Sequence, residues 1–221
     1  MGGAGVGFAL GCGRDSSTGP SAGPAATATP TPGGTSGATC AVTPSETLGP
    51  FPSLTELLHS DIRENRTGTV LTLTIKVVNA SAGCAPVANA NVEIWHVDAA
   101  GNYSQYGTQA GQTFLRGIQT TNASGEVTFT TIYPGWYQGR ATHIHLEVKI
   151  AGRPVKATQF AFPETVNNTV HGSGVYASRG NNPLSNLADG IFADSLSFQL
   201  VTPTGSPASG YTATFQVGIS A

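Results

Sequence analysis

Residues 131–148 read TIYPGWYQGRATHIHLEV and bring together Tyr133, Tyr137, Arg140, His143 and His145. The two histidines stand at i and i+2 in His-Ile-His-Leu-Glu-Val-Lys-Ile, an alternating run that reads as a β-strand. Successive side chains on a strand point to opposite faces, so both imidazoles share one face with Cα atoms about 6.5 Å apart. Two ligands of one metal ion can span that distance. The turn Pro134-Gly135-Trp136-Tyr137 is no chemical signal alone, because non-catalytic sandwich modules carry comparable hairpins in which the tyrosine only packs. A packing module has no need, however, of a cation and two imidazoles on the next strand.

Neutral imidazoles suit Zn(II), Cu(II) or iron, so the remaining donors decide the ion. The sequence offers no second histidine cluster, nearby cysteine or carboxylate at strand spacing, but it offers phenols. Tyr137 precedes His143 by six residues, and Tyr103 follows VEIWHVDAAGN at the mouth of another strand. A phenol ionises near pH ~10 in water, so holding it as phenolate at neutral pH requires a strongly Lewis-acidic ion. Two histidines and two tyrosines therefore point to non-haem ferric iron, Fe(III).

Strands must position these donors, and strand signals recur along the chain: VLTLTIKVVNA, ANVEIWHV, EVTFTTIY, HIHLEVKI, SLSFQLVT and YTATFQVGI, punctuated by turn clusters rich in Asn, Ser and Gly. This is the pattern of an all-β, mostly antiparallel β-sandwich with long loops. Only SLTELLHSDI, from Ser53, has helical spacing, with Leu54, Leu57 and Leu58 at i, i+3 and i+4, and it predicts one or two helical turns. Of 221 residues 39% are hydrophobic and 10% charged, with 29 Gly and 14 Pro, which suits many short strands joined by tight turns. The formal net charge of -2 comes without any basic cluster, so a nucleic-acid partner is not expected. No apolar run reaches the roughly 18 residues of a membrane-spanning helix.

The amino-terminal region is a different polymer. Residues 13–39 are almost entirely Gly, Ser, Thr, Pro and Ala and predict a disordered linker, ahead of a domain spanning 40–221. Before it, MGGAGVGFALGC resembles the end of a secretory segment, and Ala-Leu-Gly-Cys resembles a bacterial lipoprotein box. Residues 1–12 are thus expected to be the remnant of an export signal, with Cys12 lipidated and the protein held at the outer face of a membrane. Cys40 and Cys84 then remain as a disulfide pair in an oxidising compartment.

The segments IWHVDAAGNYS, FLRGIQTTNASGEVTFTTIYPGWYQGRATHIHLEV and TPSETLGPF resemble the intradiol ring-cleavage dioxygenases, especially their small secreted branch, over the chain from about Cys40 onward. The resemblance implies non-haem Fe(III) bound by Tyr103, Tyr137, His143 and His145. It implies cleavage of a catechol by O2 between its two hydroxylated carbons, giving a cis,cis-muconate-type diacid. It places Arg140 and Gln159 beside the reacting ring, Gly49 and Pro50 along one wall of the substrate pocket, and Tyr137 as the ligand that lets go when substrate binds. Between Tyr137 and Arg140 stand only Gln138 and Gly139, fewer residues than in the protocatechuate enzymes, so their substrate-carboxylate contacts do not transfer; the helical dimerisation segment of the catechol-type enzymes has no counterpart either. The rival from another class is a non-catalytic extracellular β-sandwich binding module. Of the other candidates, His96 reads as a buried, hydrogen-bonded residue, Tyr106, Tyr133 and Tyr176 as pocket rim or core, and His59 and His171 as solvated loop positions.

Overall fold

The computed structural model describes residues 1–3, 5, 7 and 40–220. The chain divides into two units, Met1–Gly37 and Ala38–Ala221. The described residues of the first form no helix or strand, and Cys12 and the segment 13–39 lie outside the described residues. Among the described residues no helix is long and apolar enough to cross a membrane.

In the second unit, alternation of apolar and polar residues builds two sheets. In β1, Val70–Asn79, the side chains of Leu71, Leu73, Ile75 and Val77 are fully buried while the residues between them are less so. This strand pairs antiparallel with β2, Ala85–Pro86, and β5, Glu126–Ile132, and parallel with β9, Gly210–Ile219. The β8 strand, Thr204–Ser206, closes that sheet against β9. The second sheet is antiparallel throughout, in the order β4 (Arg116–Thr120), β3 (Ala90–Trp95), β6 (His143–Ile150), β7 (Arg153–Ala161). Its inner face carries Val92, Ile94, Ile144, Leu146, Val148 and Phe160, which join the β1 residues and Phe215 and Val217 of β9 in one apolar core. This is a β-sandwich, mostly antiparallel, with the β1–β9 pair as the parallel exception.

The intervening residues of β6, including His143, His145 and Glu147, face away from that core, yet they too are buried. The segment 40–53 is part of what covers them. The Cys40–Cys84 disulfide, spanning a sequence separation of 44, anchors its start, a closure of about 4 kcal/mol in the chain-entropy model. Thr43 exchanges hydrogen bonds with Gly218 of β9 (Thr43 N to Gly218 O and Gly218 N to Thr43 Oγ1, both 2.9 Å), and Glu46 N donates to Ala157 O of β7 at 2.9 Å.

Three sequence expectations fail. Residues 53–62 form no helix; their backbone serves neighbouring strands instead, with Ile118 N donating to Leu57 O at 2.7 Å, Thr130 N to Ser60 O at 2.8 Å and Leu115 N to Ile62 O at 2.7 Å. So short a run with Leu54 and Leu58 exposed has no buried apolar face to stabilise helix. SLSFQLVT is not a strand but contains the helical turn α2, Leu196–Gln199. The Gln199 side chain fixes it, accepting from Ser195 Oγ at 2.6 Å and donating to Glu46 at 3.0 Å and Thr158 at 3.2 Å. His171 is no solvated loop residue: it ends the helix α1, Glu164–His171, is buried, and donates from Nε2 to Pro134 O at 3.2 Å.

Candidate active site

Three elements meet above the outer face of the β3–β6–β7 sheet. His143 and His145 rise from β6, whose pleat puts them on the same face. Tyr103 comes from the loop after β3, which Asp98 organises by accepting from Ala100 N at 3.0 Å and Asn102 N at 2.9 Å with one carboxylate oxygen. Tyr137 comes from the turn after β5. Two glycines seat these tyrosine-bearing loops directly on each other. A Cβ on Gly101 would collide with Trp136 O, and one on Gly135 with Asp98 O.

The polar tips converge. Tyr103 Oη lies 3.1 Å from His145 Nε2 and 3.4 Å from His143 Nε2, and the two Nε2 atoms are 3.1 Å apart. His143 Nδ1 donates to Ala141 O at 2.6 Å, which fixes the tautomer and leaves the Nε2 lone pair directed at the shared point. Burial, then the nearby Arg140 charge, pushes the His143 pKa down to about 3. Burial first, then His143, Arg140 and Arg116, hold His145 well below the usual range. Both imidazoles are therefore neutral at pH 7. Burial, then Tyr137, holds the Tyr103 phenol well above its usual range, so only a strong neighbouring cation would ionise it.

This donor set fits a metal ion. Bonds of about 2 Å at right angles subtend ligand separations of about 3 Å, and the three sides of the triangle are 3.1, 3.1 and 3.4 Å. Among the described residues no group of three or more His, Cys, Asp or Glu could hold a metal, so a metal at this point needs phenol as well as imidazole. The Tyr137 ring stands edge-on to that of Tyr103, with centroids 5.6 Å apart. It is half-buried, whereas Tyr103 is 6% exposed.

Arg140 reaches both chemistry and scaffold. It donates from one terminal nitrogen to Tyr137 Oη at 3.4 Å, from the other to Gln159 Oε1 at 2.7 Å, and from Nε to Asp189 at 2.9 Å. Gln159, directly opposite His145 on β7, donates in turn to Thr47 O at 2.8 Å. Gly49 lies against the His145 ring, Pro50 is exposed, and Phe51 takes the place in the pocket wall. The pocket is a cleft of about 210 Å³ lined by Phe51, Tyr103, Tyr106, Tyr137 and the loop 101–109. No acidic or basic residue is among its described lining.

Sequence reasoning passed over two contributors. Asp189 is buried and accepts from Ala141 N at 2.7 Å as well as from Arg140; nothing in its local sequence marks it. Arg116 is buried too and joins three segments, donating to Ser104 Oγ at 2.9 Å, Ser104 O at 2.8 Å and Phe51 O at 3.0 Å. Burial lowers its pKa to about 10, which leaves it charged at neutral pH. An arginine inside the apolar run FLRGI was the available signal. His96 is fully buried between Val97 O at 2.9 Å and Thr131 Oγ1 at 2.8 Å, as its sequence setting suggested. Tyr133 and Tyr176 belong to the core, and Tyr106 to the rim. His59 is exposed.

A family model described as Dioxygenase matches residues 51–171. Among solved structures, an intradiol ring-cleavage dioxygenase from Tetranychus urticae is 27% identical over 81% of this chain and 95% of that one, with a TM-score of 0.77. The dioxygenase domain of a dioxygenase carbohydrate-binding protein fusion from Streptomyces sp. SirexAA-E is 27% identical over 80% of this chain and 97% of that one, with a TM-score of 0.61. Catechol 1,2-dioxygenase from Pseudomonas arvilla C-1 shares the fold, with a TM-score of 0.60 and 20% identity over 80% of this chain and 62% of that one.

Proposed function

The chain belongs to the intradiol ring-cleavage dioxygenase family, and from that premise we propose that it is a non-haem Fe(III) enzyme opening catechols between their two hydroxylated carbons. Both atoms of O2 end in the two new carboxyl groups of a cis,cis-muconate-type diacid. Tyr103, Tyr137, His143 and His145 hold the iron. The observation that carries this reading is the triangle of Tyr103 Oη and two histidine Nε2 atoms beside Tyr137 in an aromatic, uncharged cleft.

Ferric iron bound there would supply the Lewis acidity that draws in both catechol oxygens and the redox access that opens the ring to O2. The side chains divide the remaining work. Tyr103, buried against both imidazoles, stays in place. Tyr137, half-buried and lining the cleft, takes a proton from the incoming catechol at Oη. Arg140 stands beside Tyr137 and keeps its positive charge facing the ring where electron density builds. Gln159 holds one end of that guanidinium. Arg140 is already engaged by Asp189 and Gln159 and the described lining of the cleft adds no further charge. This favours a neutral catechol over a carboxylated one, whose carboxylate would lose its water without a free cation in that lining to pair with.

The protein's partners in this reading are a small catechol and O2, with no nucleic acid. We also propose export, which the Cys40–Cys84 disulfide supports, with a lipid at Cys12 as the anchor.

The test is iron content, visible absorption and oxygen uptake of purified protein supplied with iron. One ferric ion per chain, a wine-red tyrosinate-to-iron band and catechol-dependent oxygen uptake are expected. Colourless, iron-free protein that consumes no oxygen would overturn the reading and leave a non-catalytic sandwich binding module in its place.

A further inference from the structure

The two histidines of the triangle are held by different means. His143 is oriented by a hydrogen bond from Nδ1 to Ala141 O at 2.6 Å. His145 is 1% exposed, and its Nδ1 has no hydrogen-bond partner among the described residues. A metal-binding imidazole ordinarily donates its second ring nitrogen to a carbonyl, carboxylate or water, and that bond sets the ring's orientation. For His145 something else must do so.

Two contacts surround the ring. Trp95 sits directly opposite His145 on β3, and the two rings lie parallel, 2° apart in plane and 4.9 Å between centroids. The indole Nε1 is buried and also without a partner among the described residues, so Trp95 presents its face to His145 rather than serving a hydrogen bond. At the ring's Cε1 corner is the backbone of Gly49, where an added Cβ would fall 2.9 Å from Cε1 and 3.5 Å from Nε2. Gly49 has φ +72, and its N–H bonds to Thr47 Oγ1 at 3.1 Å. Thr47 O in turn accepts from Gln159, which flanks His145 on the other side. Turning the imidazole about its Cβ–Cγ bond would break the stack, and the ring fits as it does only because residue 49 carries no side chain.

We propose that Trp95 and Gly49 are positioning residues: a flat face and a seat without a side chain that together aim His145 Nε2 at the point shared with His143 and Tyr103, replacing the usual hydrogen bond from Nδ1. The inference rests on the reading of His145 as a metal ligand, and it assigns Gly49 a role toward that ligand rather than toward the substrate.

The test compares Trp95→Phe, Trp95→Leu and Gly49→Ala with wild type in two forms of the protein. In the iron-loaded form, release of iron to a competing chelator is timed while the visible band is followed. Trp95→Phe keeps a ring face and should release iron close to the wild-type rate. Trp95→Leu and Gly49→Ala should release it about 10-fold faster or more, with a shifted band. In the iron-free form, the His145 ring protons of wild type should show the upfield displacement of a proton over an indole face, and Trp95→Leu should lose it. Wild-type release rates and bands in both Trp95→Leu and Gly49→Ala would overturn the clamp while leaving the ferric reading standing. Should a variant not fold, the iron-free wild type still decides: no ring-current displacement at His145 overturns the proposal. Wild type that takes up no ferric iron sinks the proposed activity instead, and the spectra of the iron-free protein then judge the clamp alone.

Discussion

Asp189 accepts hydrogen bonds from Arg140 Nε at 2.9 Å and from Ala141 N at 2.7 Å through a single carboxylate oxygen, so one buried acceptor fixes both the arginine and the strand entry that leads to His143. The other oxygen accepts from Ile191 N at 2.9 Å. Truncating it leaves a buried backbone donor and a guanidinium without their partner. Asp189→Ala should cost about 3 kcal/mol in urea denaturation and lower kcat together with it. An unchanged denaturation midpoint would show that the pair contributes nothing.

His143→Ala and His145→Ala remove side chains from the outer face of β6, not from the core. Circular dichroism should therefore stay that of the wild type while iron, colour and oxygen uptake disappear together. Stoichiometric ferric iron retained by either variant would refute the ligand assignment.

Tyr103 and Tyr137 should not respond alike. Tyr137→Phe should keep iron with a shifted tyrosinate band and bind catechol slowly, because the proton acceptor in the cleft is gone. Tyr103→Phe should lose iron. In wild type, anaerobic catechol should remove part of the charge-transfer band; resonance Raman showing both tyrosinates still bound in that complex would rule out the departure of Tyr137.

Acid should weaken the iron-free protein through its buried histidines. His96 is pushed down to about 4 and His143 to about 3, each chiefly by burial, from an ordinary value of 6.5. The unfolded chain takes up these protons first, so the stabilisation is complete above pH 6.5 and falls as pH drops toward 4 and then 3. The slope is up to about 1.4 kcal/mol per pH unit for each histidine. Urea midpoints of iron-free protein at pH 7 and pH 4.5 measure it, and equal midpoints would contradict it.

Charge on the substrate should matter more than its size. With no cation among the described residues lining the cleft, kcat/KM for catechol should exceed that for protocatechuate. The reverse order would contradict this and mean that Arg140 leaves Asp189 and Gln159 to pair with the substrate carboxylate.

The histidine pair, Arg140 and Tyr137 were legible because they are local: alternation alone puts His143 and His145 on one face, and the turn before them supplies Tyr137. Tyr103, 40 residues from His143, was legible only as a phenol at the mouth of another strand and by resemblance. The Cys40–Cys84 bond was legible from cysteine arithmetic. Gln159 came only by resemblance, since its strand β7 begins with Arg153 and Pro154 and lacks the β-branched alternation that marks β1. Asp189 lies 49 residues from its partner Arg140, a distance across which no periodicity carries information. The misread segments 53–62 and 195–202 share one cause. Each has apolar residues at plausible spacing, but Leu54, Leu58, Phe198 and Leu200 are exposed, and the conformation is set by hydrogen bonds to remote strands.

The strand β6 turns Ile144, Leu146 and Val148 into the sandwich core while His143 and His145 face the opposite way. Folding and chemistry thus draw on alternate positions of the same eight residues. Variation at Phe51, Tyr106 or residues 107–109 can reshape the cleft without touching the apolar core that holds the sheets together. The shape of the cleft can therefore change on its lining while the inward residues of the strand stay as the core requires.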